Sequence, residues 1–271
     1  MKNAPPAMRV SAWILTAALV LPLLWAVLAS FTPEQRLFGG GPILRSLTSE
    51  HYRAIFVERS FWLPISNSLI VALSTTAMSL LLGAPCAYAL ARLPLKGHQF
   101  VLAFVLAVSM FPQIAMVPSL YLMLRGVRLL DTYPGLVLPY LTFALPLAVW
   151  LLSGFFRQLP ADLEDAAMLD GASRVRALRE IVLPLAGPGV ATTGILVFLS
   201  SWNEFLFALS FTLGPERYTV PVAITLFRGQ YQVPWGQVLA AAVVATSVVA
   251  VVVLAAQKRI VAGLTSGAIK G

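Results

Sequence analysis

The chain has 271 residues, of which 59% are hydrophobic and only 11% charged, and its mean hydropathy is +0.84. A soluble domain carries about a quarter charged residues, so this composition excludes a large soluble domain and points to a polytopic membrane protein surrounded by lipid. The net charge of +8 comes without any long Lys/Arg run; basic residues in short loops orient membrane spans, and nucleic acid is excluded as a partner.

The first apolar run covers 10–31 and follows a basic start. At about 20 residues it exceeds the ~7–15 of a signal-peptide core, so it is expected to be a retained first span. Five further apolar segments follow at 62–91, 100–123, 133–156, 181–213 and 238–256. Each can cross about 30 Å of hydrocarbon as a helix. Pro22, Pro85, Pro112, Pro139, Pro146 and Pro188 fall inside these segments, as membrane helices tolerate. The expected fold is an all-α integral membrane protein of six spans, one domain over 1–271, with no internal repeat.

With the N-terminus inside, eleven of the 19 Lys and Arg fall in inner segments, among them Arg92, Lys96, Arg157, Arg174, Arg176 and Arg179. This positive-inside excess places both termini in the cytoplasm. The loop after the third span carries Arg125, Arg128, Asp131 and Thr132, read as a solvated interfacial loop with local ion pairs, with contact to an extracellular partner as the minority reading.

The one charged block is 164–185, EDAAMLDGASRVRALREIVLPL. After Pro160, the acidic Asp162, Glu164 and Asp165 precede Arg174, Arg176 and Arg179, an order that suits the dipole of a single helix. Leu169, Ala172, Val175, Leu178 and Val182 recur at helical spacing and form one stripe. Gly171 inside such a helix costs about 1 kcal/mol relative to Ala, which implies a bend or a close backbone approach. Pro184 marks the start of the next span. The bland reading is an amphipathic helix on the inner leaflet. Its small alanines and mixed charge fit a socket on another protein better than a lipid surface.

Chemistry elsewhere is sparse. The lone Cys86 forms no intramolecular disulfide, and His51 and His98 show no metal-binding spacing. No GxxxxGK[ST] phosphate loop is present, so ATP is not bound through that motif, and no catalytic constellation appears. The clearest ionisable residue within a span is Glu204, beside Trp202 and Asn203 in SSWNEF. These three are candidates for a substrate pathway, Trp202 through its ring face and Asn203 and Glu204 through their hydrogen-bonding groups. The alternative makes Trp202 an interface anchor and Glu204 a helix cap.

Asp165, Ala166 and Ala167, then Gly171, then Ile181, Leu183 and Pro184 follow the pattern EAA-x3-G-x9-I-x-LP. This resembles the permease subunits of bacterial ABC importers, with Asp165 where the family usually has Glu. The runs 67–97, 129–156, SWNEFLFAL at 201–209 and GLTSGAIKG at the end are similar to the carbohydrate-uptake, MalG-like branch, near importers of trehalose and maltose. The resemblance implies the type I importer permease fold and a multi-pass place in the bacterial cytoplasmic membrane. It implies import of a sugar, with a disaccharide such as trehalose or maltose expected first. It further implies that the region 158–184, through Asp165, Ala166, Ala167, Asp170, Gly171, Ala172, Ile181, Leu183 and Pro184, docks on a separate ATPase. A residue larger than Gly171 would then clash in the socket. The tail 257–271, through Gly267, Ala268 and Lys270, is expected to touch the ATPases as well. The implied partners are a second homologous permease, two ATP-binding subunits and an extracytoplasmic sugar-binding protein. No cofactor or metal is expected in this chain, ATP and Mg belonging to the ATPases. An ion-coupled secondary transporter is the rival from another class, and a membrane scaffold a second one.

Overall fold

The computed structural model describes residues 6–39, 47–227 and 233–266. These are helices and connecting turns, with no strand among the described residues. In chain order the helices are α1 (Pro6–Ser30), α2 (Glu34–Gly39), α3 (Glu50–Arg53, continued by a π turn Ala54–Glu58), α4 (Trp62–Arg92), α5 (His98–Ser109), α6 (Gln113–Gly126) and α7 (Tyr133–Gln158). After these come α8 (Asp162–Leu169), α9 (Arg174–Ala177, continued by a π turn Leu178–Val182), α10 (Leu183–Leu185), α11 (Gly187–Trp202), α12 (Leu206–Phe211), α13 (Val220–Thr225) and α14 (Trp235–Ser266).

Among the described residues, four helices are long and apolar enough to cross a membrane unbroken: Met8–Ser30, Trp62–Arg92, Tyr133–Gln158 and Trp235–Ala255. The third and fifth expected segments are not single helices. The third breaks between α5 and α6 with a bend of 86°, and Arg174–Leu185 meets Gly187–Trp202 at 81°. Counting each bent pair as one span restores six. At the first break Pro112 is extended, with φ −61° and ψ 116°. Its ring disfavours helical geometry at Phe111, so α5 stops just before. The second break falls at Ala186–Gly187, not at Pro184, which lies within α10. The same segment breaks again after Trp202, before the short α12.

The chain divides into two compact units, one of 1–62 with 223–248 and one of 63–222 with 249–271. In the first, buried His51 pairs through Nε2 with the Thr32 carbonyl at 2.9 Å, a structural role. Arg59 donates to Gln237 at 2.7 Å and stacks over the Phe227 ring.

The second unit is organised around α7, which packs against α5 and α11. Near the start of α7 the core gathers Val71, Leu136, Tyr140, Phe207 and Phe211. Near its end it gathers Ala87, Tyr88, Leu152, Phe156, Leu178 and Val182. The Asn67-Ser68 pair that opens the 67–97 run does structural chemistry. The buried Asn67 amide donates to the carbonyls of Glu216 and Tyr218 at 2.9 and 3.0 Å and accepts from the Tyr133 hydroxyl at 2.8 Å. Ser68 accepts from the backbone N–H of Val220 at 2.8 Å. Three of these hydrogen bonds fasten the segment after α12 to α4, and the fourth ties Tyr133 of α7 to α4.

Candidate functional site

The charged block is two helices rather than one. α8 ends in a Schellman turn: Gly171 N–H donates to the Met168 carbonyl at 3.1 Å and Ala172 N–H to the Ala167 carbonyl at 3.0 Å. Gly171 holds φ +84°, which a residue without Cβ adopts at little cost. The reason for glycine is therefore backbone conformation at a helix end. Nothing within this chain lies within 4 Å of where its Cβ would stand. Ser173 then caps α9 by accepting from Arg176 N–H at 3.3 Å. Arg174 consequently lies in the first turn of a new helix, and the single-dipole ordering does not hold. Arg176 pairs with Glu180 at 2.9 Å, both well exposed, a contact worth at most about 0.5 kcal/mol.

The single stripe also dissolves. Leu169 is 89% exposed and Val175 60%, whereas Leu178 and Val182 are buried in the core with α4 and α7. The block has two faces. Asp165, Ala166, Leu169, Asp170 and Gly171 are exposed, with Ala167 and Ala172 half-buried. Further on, Ile181 is half-buried, Leu183 packs against the core, and Pro184 is exposed. The residue between Ile181 and Leu183, Val182, is the fully buried one.

A carboxylate that sequence reasoning passed over joins this block to the bundle. Glu164 is buried, and its Oε1 lies 2.8 Å from Nε of Arg92 at the end of α4. That angle falls short of a hydrogen bond, so the contact is an ion pair. The Tyr88 hydroxyl donates to Glu164 Oε2 at 2.9 Å, and Arg92 Nη2 donates to the Leu159 carbonyl at 2.6 Å. Charge on both partners makes a buried carboxylate tolerable. The signal in the sequence was a second acid directly before the motif, with Tyr88 and Arg92 one helical turn apart on α4.

The Trp202–Glu204 cluster sits at the break between α11 and α12. Trp202 is buried and stacks on Phe198 with ring centroids 5.9 Å apart. Helical spacing of four residues points it inward, so it is not free to stack on a sugar. Glu204 caps α12: its two oxygens accept from the N–H groups of Phe207 at 2.8 Å and Ala208 at 3.1 Å. Asn203 donates back to the Leu199 carbonyl at 2.8 Å. Asn203 and Glu204 nonetheless line a cavity of ≈ 320 Å³, with Gln113, Tyr140, Phe143 and Phe205 among its other walls. Trp202 is not among them.

Asp131 is half-buried and its side chain is hydrogen-bonded to backbone. It holds φ +59° and accepts from Leu213 N–H at 2.9 Å, while its own N–H donates to the Phe211 carbonyl. Thr132 caps α7 by accepting from Gly135 N–H at 3.1 Å. Among the described residues no group of three or more His, Cys, Asp or Glu is placed to hold a metal ion. The tail residues Gly267, Ala268 and Lys270 lie outside the described residues.

The described residues thus carry apolar helices long enough for a membrane, two bent helix pairs, and a two-faced charged block between α7 and α11. The profile of the binding-protein-dependent transport system inner membrane component family matches residues 79–266, and the chain belongs to this family. It is 44% identical to the trehalose transport system permease protein of Mycobacterium tuberculosis, over 98% of this chain and 99% of that one. It is 38% identical to the trehalose/maltose transport system permease protein of Thermococcus litoralis, over 97% of this chain and 95% of that one. Its fold is that of a bacterial ABC transporter involved in import of the acidic polysaccharide alginate, with a TM-score of 0.75 at 20% identity, covering 94% of this chain and 95% of that one. The chain is thus a transport subunit of an ABC importer, and nothing in fold or relatives favours an ion-coupled secondary transporter.

Proposed function

We propose that this chain is one of two permease subunits of a sugar importer, and that the turn between α8 and α9 is the surface on which a separate ATPase docks. The observation that carries the reading is the two-sided build of that region. Its front exposes Leu169 and the small residues around Gly171, and its back is anchored to α4 by Glu164. Leu169, 89% exposed beside Asp170 and the small residues around Gly171, gives that front an apolar knob for a partner surface to cover. Relatives named for trehalose and maltose support a neutral disaccharide as cargo.

In this reading a second homologous permease completes the pathway. Two ATPase subunits hold ATP and Mg, and an extracytoplasmic sugar-binding protein delivers the cargo. The chain carries no ATPase site and no cofactor of its own. The basic residues of 157–180 support a cytoplasmic place for the loop, with both termini inside, and the tail 267–271 makes a second ATPase contact. Closure of the ATPases on ATP pushes the α8–α9 turn. Glu164 passes that motion to α4, and the bent spans flip the cavity from one side to the other.

The test is co-purification of the full importer with Leu169→Arg. The side chain is exposed, so the variant folds. The second permease is expected to remain bound while the ATPase drops out and ATP-driven uptake stops. An ATPase retained at wild-type level refutes docking at this turn.

A further inference from the structure

We infer that the cavity at the α11–α12 break is a sugar subsite contributed by this chain, built for uncharged and against anionic sugars; this rests on the importer reading above. Its volume of ≈ 320 Å³ lies at the small end of the ~300–1,000 Å³ usual for small-molecule sites. That room suits one or two sugar rings.

The walls supply both kinds of contact a sugar needs. Phe143 and Phe205 offer apolar faces for the C–H surface of a ring, and Gln113, Tyr140, Asn203 and Glu204 offer polar atoms. The decisive group is Tyr140. It is only 3% exposed, and its hydroxyl lies beside the Glu204 carboxylate without meeting hydrogen-bond geometry to any described residue. A buried hydroxyl left unpaired is costly, so it marks a place where a ligand or water supplies the missing partner. Asn203 spends its amide N–H on the Leu199 carbonyl, which leaves its oxygen as an acceptor for a sugar hydroxyl. Glu204 spends one lone pair of each oxygen on α12, and the carboxylate retains further acceptor capacity.

The charge pattern sets the class of cargo. Among the described wall residues Glu204 is the one charged group, and no Lys or Arg faces it. A carboxylate or phosphate on the ligand would meet a like charge in a partly desolvated site, with no cation to offset it. A neutral polyol meets only hydrogen-bonding groups.

The experiment is saturation-transfer NMR on the purified full assembly without its binding protein, using trehalose and the trehalose analogue oxidised at one C6 to a carboxylate. ATP-driven uptake of labelled trehalose is measured in parallel. Trehalose is expected to bind the wild type, with the uronate at least about ten-fold weaker at pH 7. Tyr140→Phe is expected to weaken trehalose binding about five-fold, and Glu204→Gln to narrow the gap between the two sugars. Equal binding of the two sugars by the wild type, or unchanged trehalose binding in Tyr140→Phe, overturns the subsite. Uptake without detectable binding overturns it too, while leaving the importer reading standing. Absence of ATP-driven uptake of any sugar by the wild type refutes the importer reading itself.

Discussion

Glu164 and Arg92 meet at 2.8 Å although Arg92 closes α4 and Glu164 opens α8. Both side chains are largely withdrawn from water, at 6% and 12% exposure. Truncating one member of such a pair strands the other as a buried charge, which costs about 3 kcal/mol or more. Arg92→Ala is therefore expected to loosen α8 strongly, raising amide exchange over 163–169 by about a hundred-fold. Glu164→Gln keeps an oxygen for Tyr88 but leaves Arg92 without its counter-charge, so it too should loosen α8, though less than truncation does. The double variant should recover part of the Arg92→Ala loss, because no charge is then left unpaired. Unchanged exchange in Arg92→Ala would show that the pair does not hold the loop.

Gly171 gives a second and opposite kind of prediction. Its Cβ would meet nothing in this chain, so any penalty measured on the permease alone comes from φ +84° and not from crowding. Gly171→Ala should cost about 1 kcal/mol of local stability in the α8 turn. Gly171→Asn should cost less, since Asn tolerates the left-handed region better. Amide exchange at 168–172 separates the two. Equal protection in Gly171→Ala and wild type would remove the backbone argument and leave a socket on the partner as the sole reason for glycine.

The spans were legible because hydropathy over about 20 residues is a direct physical readout of a bilayer's thickness. The bends were not. Pro22, Pro85, Pro139 and Pro146 lie inside continuous helices, whereas Pro112 and the Gly187-Pro188 pair sit at breaks. A proline removes one N–H and crowds one carbonyl in every case, and whether the helix kinks, continues or stops depends on its neighbours. The charged block shows the same limit. Its composition marked it as unusual, but the helical repeat runs straight through Gly171 on paper. Only the left-handed turn reveals that Leu169 and Leu178 belong to different faces. Glu164 reads in the sequence only as one acid of a first helical turn, because its partners are a Tyr and an Arg from another span and no local pattern encodes that meeting. Trp202 stayed open between two readings for a related reason: a tryptophan beside polar residues reads the same whether it faces a cavity or the neighbouring Phe198.

Glu204 carries the last prediction, because it was both a pathway candidate and a cap candidate. Both oxygens receive backbone N–H groups, from Phe207 and Ala208, at the start of a helix six residues long. A helix this short gains little from its own propagation, so its first turn depends on the cap. Glu204→Ala removes both acceptors and should cost about 1–2 kcal/mol, read as faster exchange at the amides of Phe207 and Ala208. Glu204→Gln supplies one oxygen and should retain roughly half of that protection. The cap and the cavity then separate cleanly. Glu204→Gln changes sugar discrimination while α12 keeps about half of its protection, whereas Glu204→Ala loses α12 and, with it, the Phe207 packing against Tyr140 and Phe143. If Glu204→Ala left both amides as protected as in the wild type, the carboxylate would not be holding α12.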